Sequence, residues 1–199
     1  MNIKGILTLK EKNLPIMQNL FIFRDLNELP NNIENIYKTD KNWAIRGFDD
    51  RNTIKDSPYK IKDFRFHGFS IDDLPKKFLE INNEMDKANI LKNNRIFIIC
   101  RVYYDKDVEF SGHAYKTGDL ILIDVLNGNR PSRRDWTPHI SFQIKIQNKI
   151  PSLNLDIPLK YKEYIIKICN DIIKFKDKTY LDFTLFKTGY FFYHDLSFH

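Results

Sequence analysis

Residues 41–52, KNWAIRGFDDRN, join a short apolar run to a polar segment and carry one arginine at the junction. The apolar run before Arg46 predicts the end of a buried strand, and residues 47–63 are polar and predict a long loop. A rigid strand would therefore deliver a single guanidinium where the chain leaves the core. Such an arginine either binds an anion or pairs with Asp49 or Asp50 at the mouth of the loop, where an exposed ion pair contributes little.

Outward from this stretch, the hydrophobic pattern alternates between helical and strand periods. Residues 95–104 are continuous and β-branched, as in a central strand, and residues 159–175 keep a helical period. We predict an α+β fold with mostly antiparallel sheet and flanking helices. The predicted helices cover residues 4–13, 24–38 (broken at Pro30), 70–88 (capped by Ser70) and 159–175. The predicted strands cover residues 19–23, 43–46, 63–71, 95–104 and 139–146, with hairpins over 107–128 (turn at 117–119) and 180–198.

Composition and charge narrow the class of protein. The chain has 199 residues, 42% of them hydrophobic, and a formal net charge of +6, so it is long enough for a sizeable core and favours anionic partners. Cys100 and Cys169 lie in apolar stretches without zinc spacing, which predicts buried free thiols in a reducing compartment. No apolar run reaches membrane-spanning length. We expect a cytoplasmic protein with no membrane partner.

The ordered motifs resemble a known family. The stretch IKGILTLKEKNLPIMQNLFIF matches a helix start followed by Leu-Pro and a strand, and WAIRGFDD matches a strand that ends in arginine. The stretches IFIICRVYYDKDVEFSGHAY, LIDVLNGNRPSRRDWTPHISF and YLDFTLFKTGYFFYHDLSF follow in the order of the family's later motifs. The chain resembles the ATP-grasp nucleotide-binding domain of phosphoenolpyruvate synthase and pyruvate phosphate dikinase, in a shortened and divergent form.

This resemblance implies ATP and Mg²⁺ bound in a two-lobed fold, with lobes at residues 1–94 and 95–199 forming one compact unit. Lys4 and Arg46 would contact phosphate oxygens, Arg46 as a planar fork and Lys4 as a point charge. The adenine would rest on the backbone at the end of the strand, at Cys100, Arg101 and Val102. Asp182 would hold Mg²⁺, a hard cation that prefers oxygen ligands.

Some positions depart from the family pattern. Thr184 stands where the family has a metal-binding glutamate, and His194 stands where it has a glutamine. Asp195, or Asp124, would then have to supply the missing carboxylate. The dikinase or synthase reaction itself is not expected, because the phosphohistidine domain that carries the phosphoryl group in those enzymes has no counterpart in the sequence.

The loop RPSRRDW adds a feature that the family lacks. Arg130, Arg133 and Arg134 lie within five residues, next to Trp136. They would suit an anionic second substrate, with the indole ring stacking on a base. The alternative is that these arginines pair with nearby acids such as Asp135.

Three functions remain open at the level of sequence. The first is an ATP-dependent ligase or phosphotransferase that acts on an unknown small-molecule or protein acceptor. The second is a catalytically degenerate module that senses a nucleotide or binds a protein, which the residues at positions 184 and 194 favour. The third is a nucleic-acid-binding protein, which is weaker because the lysines are scattered rather than arranged in a stripe.

Overall fold

The computed structural model describes residues 3–17, 19–30, 33, 43–50, 64–101, 105–128, 142–147 and 159–198. The chain forms two compact units: a first unit of Met1–Ile16 with Tyr104–His199, and a second unit of Met17–Tyr103. The helices are α1 (Ile3–Glu11), α2 (Leu74–Lys87) and α3 (Leu159–Ile172). The strands are β1 (Phe21–Phe23), β2 (Trp43–Asp49), β3 (Phe64–Phe69), β4 (Arg95–Arg101), β5 (Val108–Thr117), β6 (Leu120–Asn127), β7 (Phe142–Gln147), β8 (Thr179–Phe186) and β9 (Phe191–Phe198).

The second unit is a four-stranded antiparallel sheet in the order β1-β4-β2-β3, with α2 packed on one face. Strand residues at alternate positions, among them Trp43, Ile45 and Phe97, form a core with Ile81 and Met85 of α2. Gly47 continues this alternation. A Cβ there would lie 2.8 Å from a methyl group of Ile81 and 2.9 Å from the sulfur of Met85, so only glycine lets α2 approach β2 this closely.

The first unit is a five-stranded antiparallel sheet in the order β7-β6-β5-β8-β9. Helix α3 and residues from α1 pack on one face, where Leu9, Ile123, Ile165 and Leu181 belong to a common apolar core. Gly5 lets α1 contact β9 directly, because a Cβ at this position would overlap the backbone carbonyl of Leu196. The packed glycine thus fixes α1 against the last strand.

A buried polar network ties α3 to β9 in the first unit. Tyr193 Oη donates a hydrogen bond of 2.7 Å to Asp171, and Lys167 and Lys174 pair with the same carboxylate at 3.1 and 2.7 Å. Burial alone would raise the pKa of Asp171, but the hydrogen bonds from Lys174, Tyr193 and Lys167 hold that pKa below its ordinary value. Asp171 is therefore an ionised anchor for this helix.

The α+β class, the antiparallel pairing and the hairpin turn at 117–119 are as predicted. Both cysteines are buried free thiols, and burial raises the pKa of Cys100 to about 11 and that of Cys169 to about 12. Among the described helices, none has the length and apolar character needed to span a membrane.

Several predicted boundaries were wrong. The loop predicted to begin at residue 47 begins later, because β2 continues through Asp49 and pairs with β4 along its whole length. Ser70 precedes a 3₁₀ turn (Ile71–Asp73), but its side chain makes no capping hydrogen bond. In the helix predicted over 24–38 and broken at Pro30, the part before Pro30 is a 3₁₀ turn at Leu26–Glu28, and Ile33 is helical. The rest of residues 31–38 lies outside the described residues.

The division into units also differs from the predicted lobes at residues 1–94 and 95–199. Strand β4 pairs with β1 and β2, so residues 95–101 belong with the preceding segment. Helix α1 packs on β9, so the amino terminus joins the carboxy-terminal sheet. Both differences arise from long-range packing that the order of elements along the chain does not reveal.

Candidate functional site

Arg46 lies on the face of the four-stranded sheet opposite to α2. Its neighbours Ile45 and Gly47 point toward α2, so the alternation of the strand directs the Arg46 side chain to the other face. The same face carries Cys100, and the Arg46 charge partly offsets the rise that burial causes in the pKa of that thiol. The strand β2 thus presents a half-buried guanidinium on a face otherwise rich in apolar side chains.

A second arginine, Arg65, stands directly opposite Arg46 on the neighbouring strand β3. Side chains that are directly opposite in an antiparallel pair share a face and lie about 5 Å apart at their Cβ atoms. One anion can contact both guanidinium groups, which makes the pair a candidate anion site. Arg65 was not among the predicted site residues, although its place in FRFHGF, two residues before His67, marks it as a residue of the polar side of that strand.

The alternative role for Arg46, an ion pair with Asp49 or Asp50, does not hold. The Asp50 carboxylate pairs with Arg24. Asp49 is buried and, by the alternation of β2, points to the α2 side of the sheet. Within the described residues, Arg46 forms no ion pair with a carboxylate. The guanidinium is accordingly available for a ligand.

The residues predicted to bind adenine lie at the carboxy-terminal end of β4. Cys100 and Arg101 are its last residues, and they pair with Ala44 and Trp43 of β2. On the other side, the ladder to β1 covers only Phe97–Ile99, so the backbone edge at Cys100 and Arg101 lies past the end of that ladder. Such an edge can offer main-chain hydrogen bonds to a planar ring. Val102 lies outside the described residues, and the adenine contacts stay a prediction.

The two predicted metal-binding carboxylates face each other in the first unit. Asp182 of β8 pairs in register with Asp195 of β9, and both are buried. Their neighbours Leu181 and Leu196 belong to the apolar core, so the two carboxylates lie on the sheet face opposite to α3. Asp195 also accepts a hydrogen bond of 3.1 Å from the Leu196 amide.

A row of polar residues continues from this pair across the sheet. Its members, in order across the strands, are Gln143, Asp124, His113, Asp182 and Asp195. His113 Nε2 lies 3.1 Å from one oxygen of Asp124, and Gln143 Nε2 donates to the other oxygen at 2.5 Å. Asp124, which was predicted as the alternative carboxylate for the metal, is thus engaged by His113 and Gln143.

A β-bulge brings His194 onto this same face. The register between β8 and β9 shifts between Asp182 and Phe183, which leaves His194 as the extra residue. His194 Nδ1 lies 3.3 Å from Oγ1 of Thr184, the next outward residue after Asp182 on β8. Positions 184 and 194, at which the sequence departs from the family it resembles, are therefore in contact with each other.

The described residues offer two facing carboxylates for a metal rather than three. Nowhere in the described ranges do three or more histidine, cysteine, aspartate or glutamate residues form a group that could hold a metal ion. Mg²⁺ at nucleotide sites is often held by one or two carboxylates together with phosphate oxygens and water. Asp182 and Asp195 fit that smaller set.

The remaining predicted site residues are less informative. Lys4 is an exposed residue of α1 in the first unit, beside the packed Gly5. Its role as a phosphate ligand stays a prediction. Arg130, Arg133 and Arg134, the predicted anion loop, lie outside the described residues.

The fold is similar to that of a synthase, a synthetase and a ligase of known structure. An N5-carboxyaminoimidazole synthase from Aspergillus clavatus, in complex with ADP and 5-aminoimidazole ribonucleotide, matches 98% of this chain with a TM-score of 0.51 and 12% identity. The D-alanyl-alanine synthetase A of Vibrio cholerae matches 97% with a TM-score of 0.49 and 12% identity, and the D-alanine-D-alanine ligase of Coxiella burnetii matches 96% with 0.49 and 9%. The predicted ATP-grasp-like fold is confirmed by the first of these.

This chain matches only part of the length of each of these enzymes. This chain spans 44% of the Aspergillus clavatus enzyme, 52% of the Vibrio cholerae enzyme and 45% of the Coxiella burnetii enzyme. No protein-family model matches the sequence. No curated protein matches it either. The similarity therefore concerns the fold.

Proposed function

We propose that this chain binds ATP through its second unit and works as an ATP-dependent ligase or phosphotransferase on a small acceptor. The observation that carries the proposal is the cross-strand pair of Arg46 and Arg65 on the face opposite to α2. Two guanidinium groups on adjacent strands suit an oligophosphate, because each can form two parallel hydrogen bonds to phosphate oxygens. The ADP present in the Aspergillus clavatus enzyme, which has this fold, supports a nucleotide as the ligand.

In this reaction the two arginines would bind and orient the phosphates. As negative charge develops on the transferring phosphoryl group, fixed cationic donors stabilise it without having to reorganise. The main-chain groups of Cys100 and Arg101 would hold the adenine, which leaves the phosphates directed along β2. These roles require only strand residues that are held rigidly in the sheet.

A bound Mg²⁺ ion would supply a concentrated positive charge, and Asp182 and Asp195 of the first unit would hold it. Their carboxylates are on one face and in register. Asp124, by contrast, contacts His113 and Gln143 within the row of polar residues that crosses the sheet. We also propose the more specific resemblance to phosphoenolpyruvate synthase and pyruvate phosphate dikinase. It concerns the fold and the position of Arg46, and it does not extend to their reaction.

A second function, a nucleotide sensor without catalysis, is favoured by one observation. The side chains of Thr184 and His194 contact each other where the resembled family has a carboxylate and an amide. A hydroxyl and an imidazole are poorer ligands for a hard cation than a carboxylate. A sensor would bind ATP equally well with and without Mg²⁺.

The two functions are separated by one set of measurements on the purified chain. Thermal unfolding is followed with ATP, ADP and adenosine, with and without Mg²⁺, and ADP formation is followed with a desalted small-molecule extract as the source of acceptor. An ATP-dependent rise in the melting temperature that adenosine does not give, together with ADP formation, supports the enzyme. ATP binding without any Mg²⁺ effect or ADP formation supports the sensor, and no stabilisation by ATP contradicts both.

A further inference from the structure

The second unit contains a cavity of about 480 Å³ on the α2 side of its sheet, away from Arg46. It lies between α2, the residues that follow β1 and the 3₁₀ turn Lys92–Asn94. This volume is within the range of small-molecule sites, which is about 300–1,000 Å³. The cavity is separate from the proposed nucleotide site, because Arg46 points to the opposite face of the same sheet.

Two arginines in the walls of this cavity bind neighbouring protein groups. The guanidinium of Arg95 is 3% exposed and donates to the Ile90 carbonyl oxygen, to both oxygens of Asn82 and to Asp86. Arg24 donates to the carbonyl oxygens of Asn93 and Arg95, both at 3.1 Å, and to Asp50. These bonds fix the helix, the turn and the end of β1 relative to one another.

The floor of the cavity is aromatic. The rings of Phe78 and Phe97 contact each other with centroids 4.6 Å apart, at an interplanar angle of 60°. Phe97 is buried, Phe78 is half-buried, and Leu79 beside it is 60% exposed. An apolar side group of a ligand would cover this floor and remove Leu79 from water.

The rim carries an ammonium group. The lining includes three cations and two carboxylates: Arg95 is paired with Asp86, Arg24 is paired with Asp50, and Asp25 accepts a hydrogen bond of 2.9 Å from the Asn27 amide but keeps its negative charge. Lys92 is exposed and makes no ion pair with any described residue. The exposed amide of Asn83, on α2, lines the same cavity. The rim thus offers an ammonium group for a carboxylate and an amide for a second hydrogen bond.

We propose that this cavity binds a small carboxylate that carries an apolar side group and an amide, with the carboxylate on Lys92, the amide on Asn83 and the side group on Phe78 and Leu79. An N-acylated amino acid and the carboxyl end of a polypeptide share this chemistry. The site is independent of the nucleotide and of the reaction that we propose for the chain.

The test is a calorimetric and ¹H–¹⁵N NMR titration of the full chain with N-acetyl-L-phenylalanine and, as the matched probe without a carboxylate, N-acetyl-L-phenylalaninamide. The acid is expected to bind saturably and to shift the amide signals of α2 and of residues 92–94, whereas the carboxamide binds more weakly. Lys92→Gln should weaken binding of the acid by about fivefold, as expected for a partly exposed ion pair. Lys76→Gln is the matched control, because Lys76 is an exposed lysine of α2 outside the cavity lining, and it should leave the affinity unchanged.

A further arm distinguishes the two sources of the ligand. Tighter binding of acetyl-Gly-Gly-Phe than of the single acylated residue indicates the carboxyl end of a polypeptide, and equal binding indicates a free acylated amino acid. Arg46→Ala should leave all of these affinities unchanged, so a failure of the ATP proposal does not affect this one. The absence of saturable binding, equal binding of the carboxamide, or equal loss in the Lys92 and Lys76 variants would overturn the proposal.

Discussion

The two units place opposite charges on corresponding faces of their sheets. In the second unit, the face opposite to α2 carries the facing cations Arg46 and Arg65. In the first unit, the face opposite to α3 carries the facing carboxylates Asp182 and Asp195. Facing side chains of like charge lie close enough for one ligand of opposite charge to contact both. An oligophosphate suits the two arginines, and a divalent cation suits the two carboxylates.

The two units also differ in how tightly a helix is packed beside the charged strand. Gly5 of α1 packs on the backbone of β9, next to Asp195, whereas Gly47 of β2 packs on two side chains of α2, next to Arg46. A backbone neighbour cannot give way as a side chain can. The strand that carries Asp195 is therefore held more rigidly by its glycine than the strand that carries Arg46.

The largest predicted effect tests this difference in packing. Gly5→Ala should lower the free energy of unfolding by about 3 kcal/mol, because the new methyl group overlaps the Leu196 carbonyl and forces α1 off β9. Gly47→Ala should cost about 1 kcal/mol, because Ile81 and Met85 can shift. Urea unfolding of both variants measures the difference. An equal or larger loss for Gly47→Ala would contradict the account of the two contacts.

The anchor that holds α3 in the first unit depends on pH. The folded pKa of Asp171 is lowered, so its contribution is present above the unfolded value of about 3.9 and is lost as the pH falls through the lower folded value. Asp171→Asn should lower the free energy of unfolding at pH 7 by about 2 kcal/mol, since Tyr193 and two lysines lose a charged acceptor. Urea unfolding at pH 7 and pH 3 should show the difference between parent and variant shrinking at the lower pH. A constant difference would rule out the charge as its cause.

The facing carboxylates are tested with a metal in the absence of nucleotide. Asp182→Asn and Asp195→Asn should each weaken Mn²⁺ binding by about tenfold, because each removes one of two charged oxygen ligands. Electron paramagnetic resonance of free Mn²⁺ gives the affinities. Asp25→Asn, in the second unit, is the control that should leave them unchanged. Equal Mn²⁺ affinity in all three variants would show that the facing pair holds no metal.

The smallest predicted effect tests the facing cations. Arg65→Gln should weaken ATP binding by about threefold through the loss of one charged donor. Isothermal titration calorimetry of the parent and the variant measures this change. Equal ATP affinity in the two proteins would mean that Arg65 does not contact the nucleotide.

The sequence was sufficient for the elements whose cause is local. The apolar run before Arg46 predicted a strand that ends near an arginine, and the helical period over 159–175 predicted α3. The predictions that were wrong concern features that depend on contacts between distant segments of the chain. The extension of β2 to Asp49 follows from its pairing with β4, and the two-unit division follows from α1 packing on β9.

The candidate site was predictable in part for the same reason. Arg46 and Asp182 stand out as charges within apolar strands, so a local pattern was enough to select them. Arg65 was missed because only the register of β2 and β3 places it opposite Arg46. The contact between Thr184 and His194 likewise depends on a β-bulge, which the alternating sequence pattern of β9 does not predict.

The most direct test of the account is the dissociation constant of ATP for the parent chain and for Arg46→Ala, measured by isothermal titration calorimetry at fixed salt. Lys76→Gln, an exposed lysine on the opposite side of the sheet, is the control for loss of net charge. We predict that Arg46→Ala weakens ATP binding by about tenfold or more, since a charged hydrogen bond to phosphate contributes about 1.5–3 kcal/mol, and that the control is unchanged. Equal ATP affinity in the parent and in Arg46→Ala would contradict the assignment of this face to the nucleotide.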